Sequence, residues 1–296
     1  MAPADDMTAA PAGRRSFSRL AGWAADDLTP ALAAFRRNPD DPLAKVAATA
    51  TDARRFFEDH FHPGDTLSGQ VTGYYEPEIP GARTRSEDFP VPLHAEPPGG
   101  CALPRAEIAP HLAGHEIVWL RDEVDRFFAQ VQGSARIRLT DGTVLRVGYA
   151  GKNGRPYVSI GKLLVGRGVF GPDITADALA AWLRADPVRG RAVMDENPSY
   201  VFFRILDADP ALGPTTTLGC PATAGRTLAV DPDHLPLCTP VWLEVDGIAR
   251  LCVAQDTGSA IRGAGRVDLF LGTGDEAGRA AGRLNHAGRI TPLRRR

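Results

Sequence analysis

The chain has 296 residues, enough for one large or two modest domains around a sizeable core. Its composition, 43% apolar and 24% charged, excludes wholesale disorder, and no apolar run reaches the ~20 residues that carry a helix across a bilayer. With 34 basic against 36 acidic residues, interspersed along the chain, the net charge of −2 provides no long-range field to draw in nucleic acid.

Residues 1–15, rich in Ala, Pro and Asp, read as a disordered leader without the apolar centre of a secretion signal. Apolar spacing then predicts helices over 26–37 and 43–60, with Leu28, Leu32, Phe35 and Phe56 on their buried faces. The period changes to alternation through Val71, Gly73 and Tyr75, so 67–75 reads as a strand ending at the Glu76-Pro77 turn. A Pro-dense link over 89–104 marks a candidate domain boundary. Beyond it come a helix over 122–130 and strands over 135–139 and 144–149. Asp141-Gly142 joins these two strands, the strongest short hairpin signal a sequence offers. Thr175 caps a helix predicted over 175–184. After Asn197-Pro198, short strands at 200–205, 226–230, 240–245, 249–256 and 266–271 are spaced by turns as in a closed barrel. A last helix over 275–284 ends near Gly288, and the basic end, 293–296, reads as solvated. The 31 glycines and 25 prolines punctuate many short segments, which points to a turn-rich β architecture.

Several motifs imitate sites that they do not complete. Gly272-Thr273-Gly274 with Gly278 has the wrong spacing for a dinucleotide fingerprint, and neither Gly151-Lys152 nor Gly161-Lys162 has the preceding glycine of a phosphate loop. His111 and His115 lack the Glu of a zinc helix, and Cys101, Cys220, Cys238 and Cys252 form no CxxC pair. The aspartates carry more weight. Asp256 in Ala254-Gln255-Asp256-Thr257-Gly258-Ser259 and Asp268 in Arg266-Val267-Asp268-Leu269-Phe270 punctuate apolar strands, and Asp231 follows Leu228-Ala229-Val230. A strand-borne acid is costly unless solvated, paired or chemically used, although all three also suit turn acids that accept backbone N–H bonds. Asp-Thr-Gly-Ser after an apolar strand is also how aspartic peptidases present their acid. Those enzymes need two such loops around one proton, so with one loop that reading requires a homodimer.

Longer motifs run through the chain in order. Gly73-Tyr74-Tyr75-Glu76-Pro77 comes with Arg83-Thr84-Arg85, and Phe127-Phe128 with Gln132-Gly133-Ser134. Gly148-Tyr149-Ala150-Gly151-Lys152-Asn153-Gly154, Ile160-Gly161 and Asn197-Pro198-Ser199-Tyr200-Val201-Phe202-Phe203-Arg204 lead to the three aspartate motifs. In these residues, from about 17 to 293, the chain resembles the membrane-bound lytic murein transglycosylase A family, whose C-terminal domain is named for three aspartates. It departs from the family pattern at Ala135, Cys238 and Ser259, where Gly is usual, and in a shorter segment over 36–45; none of these removes an acid. Cys238 at such a turn suggests altered backbone geometry or a partner thiol such as Cys220, and four unpaired cysteines are the alternative.

The resemblance implies a mainly β protein with a few flanking helices. A double-psi β-barrel catalytic domain over 16–85 plus 199–296 is interrupted by a smaller β domain over 86–198, which forms the other wall of a glycan groove. The implied substrate is the glycan strand of peptidoglycan. The implied activity is that of a lytic exotransglycosylase, which cleaves between N-acetylmuramic acid and N-acetylglucosamine and leaves a 1,6-anhydro end. Asp268 maps onto the family's catalytic acid, with Asp256 and Asp231 as neighbours. Tyr74, Tyr75, Glu76, Thr84, Arg85 and Gln255 are the expected sugar contacts. Neither metal nor cofactor is expected. A monomer is expected, associated with the cell-wall synthesis machinery and located in the periplasm or at the outer membrane, with an export leader upstream of Met1 or in place of the first residues. A barrel that binds and loosens wall glycan without cleaving it is the alternative. One acid suffices for the chemistry: the sugar's own C6 hydroxyl is the nucleophile, so no second carboxyl has to activate water. Such an acid must hold its proton at working pH, which burial or a neighbouring carboxylate arranges.

Overall fold

The computed structural model describes residues 16–207, 209 and 212–296, so the leader expected over 1–15 lies outside the described residues. Three short helices open the chain, α1 (Thr29–Arg36), α2 (Pro42–Ala47) and α3 (Ala53–His60). The helix expected over 43–60 is thus two. Asp52 is extended, and its carboxylate accepts the Arg55 N–H at 3.0 Å, which starts α3 afresh. Phe35, Phe56 and Phe57 on these helices join Trp23 and bury Trp242, Leu251 and Val253 from the barrel wall.

Strands β1 (Phe61–Pro63) and β2 (Leu67–Glu76) follow, and after Pro77 the chain leaves for a second sheet. That sheet contains β3 (Glu78–Ala82), β4 (Val91–His94), β5 (Glu116–Leu120), β6 (Ser134–Leu139), β7 (Val144–Lys152) and β8 (Val201–Leu206). Their order is β4-β5-β3-β6-β7-β8. Helices α4 (Arg105–Ile108), α5 (Glu123–Gln132), α6 (Ile160–Gly166), α7 (Ala176–Ala185) and α8 (Pro187–Asp195) accompany it. Strands β3 and β8 pair here, although they fall on the barrel side of the edges expected at 85/86 and 198/199. The Pro-dense link over 89–104 contains β4, an edge strand in which Pro92 is tolerated because one side needs no ladder donor. Helices α6 and α8 go unpredicted because their glycines weaken the helical pattern. The side chains of Ser159 and Asp186 set their starts.

The chain then returns to the barrel through β9 (Thr227–Val230), β10 (Pro240–Val245), β11 (Ile248–Thr257), β12 (Arg266–Thr273), α9 (Gly274–Arg283) and β13 (Asn285–Arg295). The strand order β13-β10-β11-β9-β12-β2 closes on itself because β2 also pairs with β13. Two pairs, β9 with β11 and β2 with β12, are parallel, and the others are antiparallel. The mainly β class, a closed barrel with a second sheet and a few helices, is therefore the observed one. Val71, Leu228, Val230, Leu243, Val267 and Leu269 fill the barrel interior. Gly69 of β2 permits closure, since a Cβ there would lie 1.8 Å from the Gly265 carbonyl oxygen. The tail expected to be solvated does expose Arg294, Arg295 and Arg296, but it is also the end of β13. Its last residues pair with β1, Leu293 is buried, and the Arg296 Nε donates to the Phe61 carbonyl at 2.9 Å. No helix among the described residues is long and apolar enough to cross a membrane.

Candidate active site

Alternation decides which side chains leave the barrel. Leu228 and Val230 of β9 and Val267 and Leu269 of β12 point inward, so Ala229 and Asp268 between them point outward. Ala229 is paired with Asp268 on one side and with Asp256 of β11 on the other, and Asp268 is paired with Thr72 of β2. The outer face thus carries a row, Asp256, Ala229, Asp268 and Thr72. The two aspartate strands are not neighbours, since β9 stands between them. Asp256 joins the row only because β11 is bulged between Ala254 and Asp256. In an unbroken register Gln255 would oppose Ala229, and Asp256 would oppose Val230 and point into the apolar interior.

The Thr72 hydroxyl donates to Asp268 Oδ1 at 2.6 Å, and Oδ2 has no hydrogen-bond partner among the described residues. Burial pushes the Asp268 carboxyl up to about 6, the Asp256 charge adds to the rise, and the Thr72 hydrogen bond and the Arg266 charge oppose it. Asp256 is held differently. Its Oδ1 accepts the Thr217 N–H at 3.0 Å, the Thr217 hydroxyl at 2.9 Å and the Thr257 N–H at 2.9 Å, and its Oδ2 accepts the Tyr74 hydroxyl at 3.0 Å. Burial and the charges of Asp256 and Asp268 push Tyr74 well above the ordinary phenol range, so its hydroxyl serves as a donor. The Tyr74 ring rests on Phe270, with centroids 5.2 Å apart. The row can therefore deliver a proton from one acid beside a fixed carboxylate. It does not match an aspartic peptidase, where two equivalent carboxyls share a proton, because Asp256 is engaged by internal donors and lies two strands from Asp268.

The other expected residues lie elsewhere. Asp231 follows β9 and accepts the Gly263 N–H at 2.7 Å and the Asp233 N–H at 3.3 Å. The first of these bonds, more than any other interaction, holds it below the usual carboxylate range, so it is a turn acid. Glu76 is fully buried, meeting Arg146 at 3.0 Å and accepting the Thr273 hydroxyl at 3.0 Å, so it joins the two sheets and faces no groove. Gln255, also fully buried, spends its amide on the Ala34 carbonyl and Asn38, both at 2.9 Å, because alternation places it with Leu251 and Val253 on the face that α1 covers. Tyr75 points to the opposite side of β2 from Tyr74, packs on Gly278, and lines a cleft of about 300 Å³ with Asp125, Asp177 and Asp275. Thr84 and Arg85 are exposed beyond β3, with the Arg85 guanidinium 5.8 Å from the Trp119 ring centroid. The structure thus gathers Asp268, Asp256 and Tyr74 and leaves the other named residues apart. It adds Thr72 and Thr217, which sequence reasoning missed. Alternation from Tyr74 would have found Thr72; nothing in the sequence marks Thr217.

All four cysteines are free. Cys220 is buried against the Thr216 hydroxyl and the Gln255 amide, each 3.4 Å from its sulfur, so the bridge to Cys238 is not formed. Cys238 adopts a φ of 69°, the conformation for which glycine is the usual residue at this turn. No group of three or more His, Cys, Asp or Glu side chains among the described residues is arranged to hold a metal ion.

Comparison with known proteins brings further findings. Residues 70–204 match the family model described as the MltA specific insert domain, and residues 226–294 match the 3D domain. Membrane-bound lytic murein transglycosylase A of Escherichia coli K12 is 36% identical over 242 residues, which cover 76% of this chain and 65% of that protein. The chain thus spans just under two thirds of that relative's length. The crystal structure of a membrane-bound lytic murein transglycosylase from Agrobacterium tumefaciens is similar at 30% identity, with a TM-score of 0.84 over 95% of this chain and 96% of that one. That of E. coli MltA with bound chitohexaose is similar at 30% identity, with a TM-score of 0.74 over 90% of this chain and 86% of that one.

Proposed function

The chain belongs to the membrane-bound lytic murein transglycosylase A family, and on that premise we propose that it is a peptidoglycan lytic transglycosylase in which Asp268 acts first as acid and then as base. The supporting observation is the contrast within the row. Four donors engage Asp256, whereas Asp268 keeps one oxygen free, still touches solvent, and holds its proton up to a pH of about 6. One carboxyl of that kind serves a reaction that brings its own nucleophile.

Asp268 gives its proton to the glycosidic oxygen as the bond from that oxygen to C1 of N-acetylmuramic acid breaks, and the bonding pair leaves with N-acetylglucosamine. Positive charge grows at C1, where the fixed Asp256 carboxylate on the same face favours it. The C6 hydroxyl of the same sugar then closes on C1 to form the 1,6-anhydro ring and returns its proton to Asp268. Protons balance over the cycle, and no water is consumed.

The substrate is the glycan strand. We place it in the groove between the barrel, about 16–77 plus 207–296, and the inserted domain, 78–206, with its sugars against Tyr74. Peptidoglycan lies outside the cytoplasmic membrane, which puts the protein in the periplasm or at the outer membrane. Mass spectrometry of products from purified sacculi tests the proposal: anhydro-ended muropeptides support it, reducing ends would make the protein a hydrolase, and binding without products would make it a wall-binding barrel.

A further inference from the structure

The segment that returns from β8 to β9 is gripped twice. Near its start, the Arg146 guanidinium donates to the carbonyl oxygens of Asp209, Leu212 and Gly213 at 3.1, 2.6 and 3.4 Å, on the side chain that also meets Glu76. Further along, Thr215 and Pro221 form a bridge, and Gly219, at φ 76°, closes the turn with its N–H on the Thr216 carbonyl at 2.9 Å. This turn lays Thr217 and Leu218 on the bulge of β11. The Leu218 N–H donates to the Gln255 carbonyl at 3.2 Å, and the Thr217 N–H donates to Asp256.

A hydroxyl has one proton to give and two lone pairs to offer, and Thr217 uses all three. It donates to Asp256 Oδ1 at 2.9 Å, so the Thr257 hydroxyl, 2.8 Å away, must donate to it. The Thr257 N–H, shared with Asp256, donates to it at 3.2 Å. The side chain has no free rotation left, and two of the donors on Asp256 come from this one residue.

We propose that Thr217 is a positioning residue: it fixes the Asp256 charge beside Ala229, and through that charge it helps Asp268 keep the proton it must deliver. The inference rests on the reading of Asp268 as the acid. Arg266 on its own strand and Thr72 and Tyr74 on β2 face Asp268, with Asp256 beyond Ala229. Tyr74, Thr217, Thr257 and the Cys220 thiol surround Asp256. Arg266 and Thr72 act against the proton on Asp268, and Asp256 acts for it. Thr217 touches neither acid's reacting oxygen, so its effect is confined to where the second charge sits. The gripped segment also links that charge to Arg146 on the second sheet.

The backbones of Asp256 and Asp268 are two strand spacings apart, about 9.5 Å. Complete loss of a charge at that separation corresponds to about one pH unit at the effective dielectric of a protein surface, and partial displacement to about half. The test is a carboxyl ¹³C NMR titration of the full chain, with the Asp268 signal assigned by its disappearance in Asp268→Asn, alongside kcat/KM against pH on sacculi. Thr217→Val should lower the Asp268 midpoint and the alkaline limb of the rate profile together by about half a pH unit. Thr217→Ser, which keeps the hydroxyl, should overlay the native curves. An unmoved or raised midpoint in folded Thr217→Val overturns the proposal. Should that variant not fold, Asp256→Asn must lower the midpoint further still, and an unmoved midpoint there overturns it equally. The NMR midpoint needs no turnover. A shift in a protein that releases no anhydro products therefore counts for the coupling and against the proposed reaction.

Discussion

Replacing Asp268 by Asn should make the protein inactive and, above neutral pH, more stable. The folded carboxyl releases its proton at about 6, against an ordinary value of 3.8. Below pH ~3, well under the unfolded value, the acid is neutral whether the chain is folded or unfolded, so its titration costs nothing. As the pH rises through the unfolded value, the unfolded chain releases a proton that the folded chain still holds, and stability falls until the folded group has also titrated. The loss over that window is about 3 kcal/mol, an upper figure because Asp268 keeps some contact with solvent. Asn carries no charge and escapes the loss. The stability difference between the variant and the native chain should therefore grow by up to about 3 kcal/mol from about pH 3 to about pH 7.5, while titrating groups that do not interact with Asp268 cancel. Urea unfolding followed by tryptophan fluorescence at the two pH values measures it, with equal slopes confirming that the same surface is exposed. Release of anhydro products should fall by ~10²–10⁴-fold, the usual contribution of general acid catalysis. A stability difference that does not change with pH would show that Asp268 is not held out of water. Near-normal product release from the folded variant would remove it as the acid.

Thr72→Val withdraws the hydrogen bond that favours ionised Asp268, so the alkaline limb of kcat/KM should move up by about one pH unit, with Thr72→Ser close to native; a limb that moves down contradicts the assignment. Glu76→Gln leaves the Arg146 charge buried without its partner and should cost about 3–5 kcal/mol in chemical unfolding, of which Arg146→Met in the same chain should recover only part, because the carbonyls of Asp209, Leu212 and Gly213 then lose their donor; equal unfolding midpoints for native and single variant would deny the pair its role. Gly69→Ala forces a methyl into the Gly265 carbonyl and should prevent barrel closure, seen as loss of soluble, native-like protein by circular dichroism, whereas a soluble variant with native stability would show that the strands can separate at no cost.

The strands that carry the site were legible because they follow period-two alternation. Residues 67–75 and 266–271 show it plainly, and both became barrel strands. Strand β13 was not, since the run Ile290-Thr291-Pro292-Leu293 has no alternation to read. The run is buried because β10 and the first segments of the chain cover it, a tertiary cause that leaves no local pattern. The same holds for β4, where Pro92 and its neighbours read as linker until β5 pairs with them. The break between α2 and α3 was readable in principle, because Asp52 is a helix cap, but the apolar spacing of Leu43 and Phe56 masked it.

The site shows where a one-dimensional reading runs out. That aspartates on apolar strands mean chemistry or pairing follows from desolvation cost alone, and it singled out Asp256 and Asp268 together with Asp231. What separates the three is geometry that composition does not carry. Asp231 lies just past the end of β9, where loop amides take it up. Asp256 reaches the outer face because one extra residue in β11 reverses the alternation, whereas Gln255 keeps the outward alternation of Leu251 and Val253 and is fully buried beneath α1. The bulge has no sequence mark, because Gln255 is neither glycine nor proline, and it is stabilised by partners distant in the chain: Asn38 and Thr227 on the Gln255 amide, and Thr217 on the Asp256 carboxylate. An acid whose environment is assembled from β2, β9, β11 and a returning hairpin owes its proton affinity to sheet order. Only Ala229 stands in the row between the two carboxylates, and the Asp256 charge acts on Asp268 across the face that we assign to the glycan.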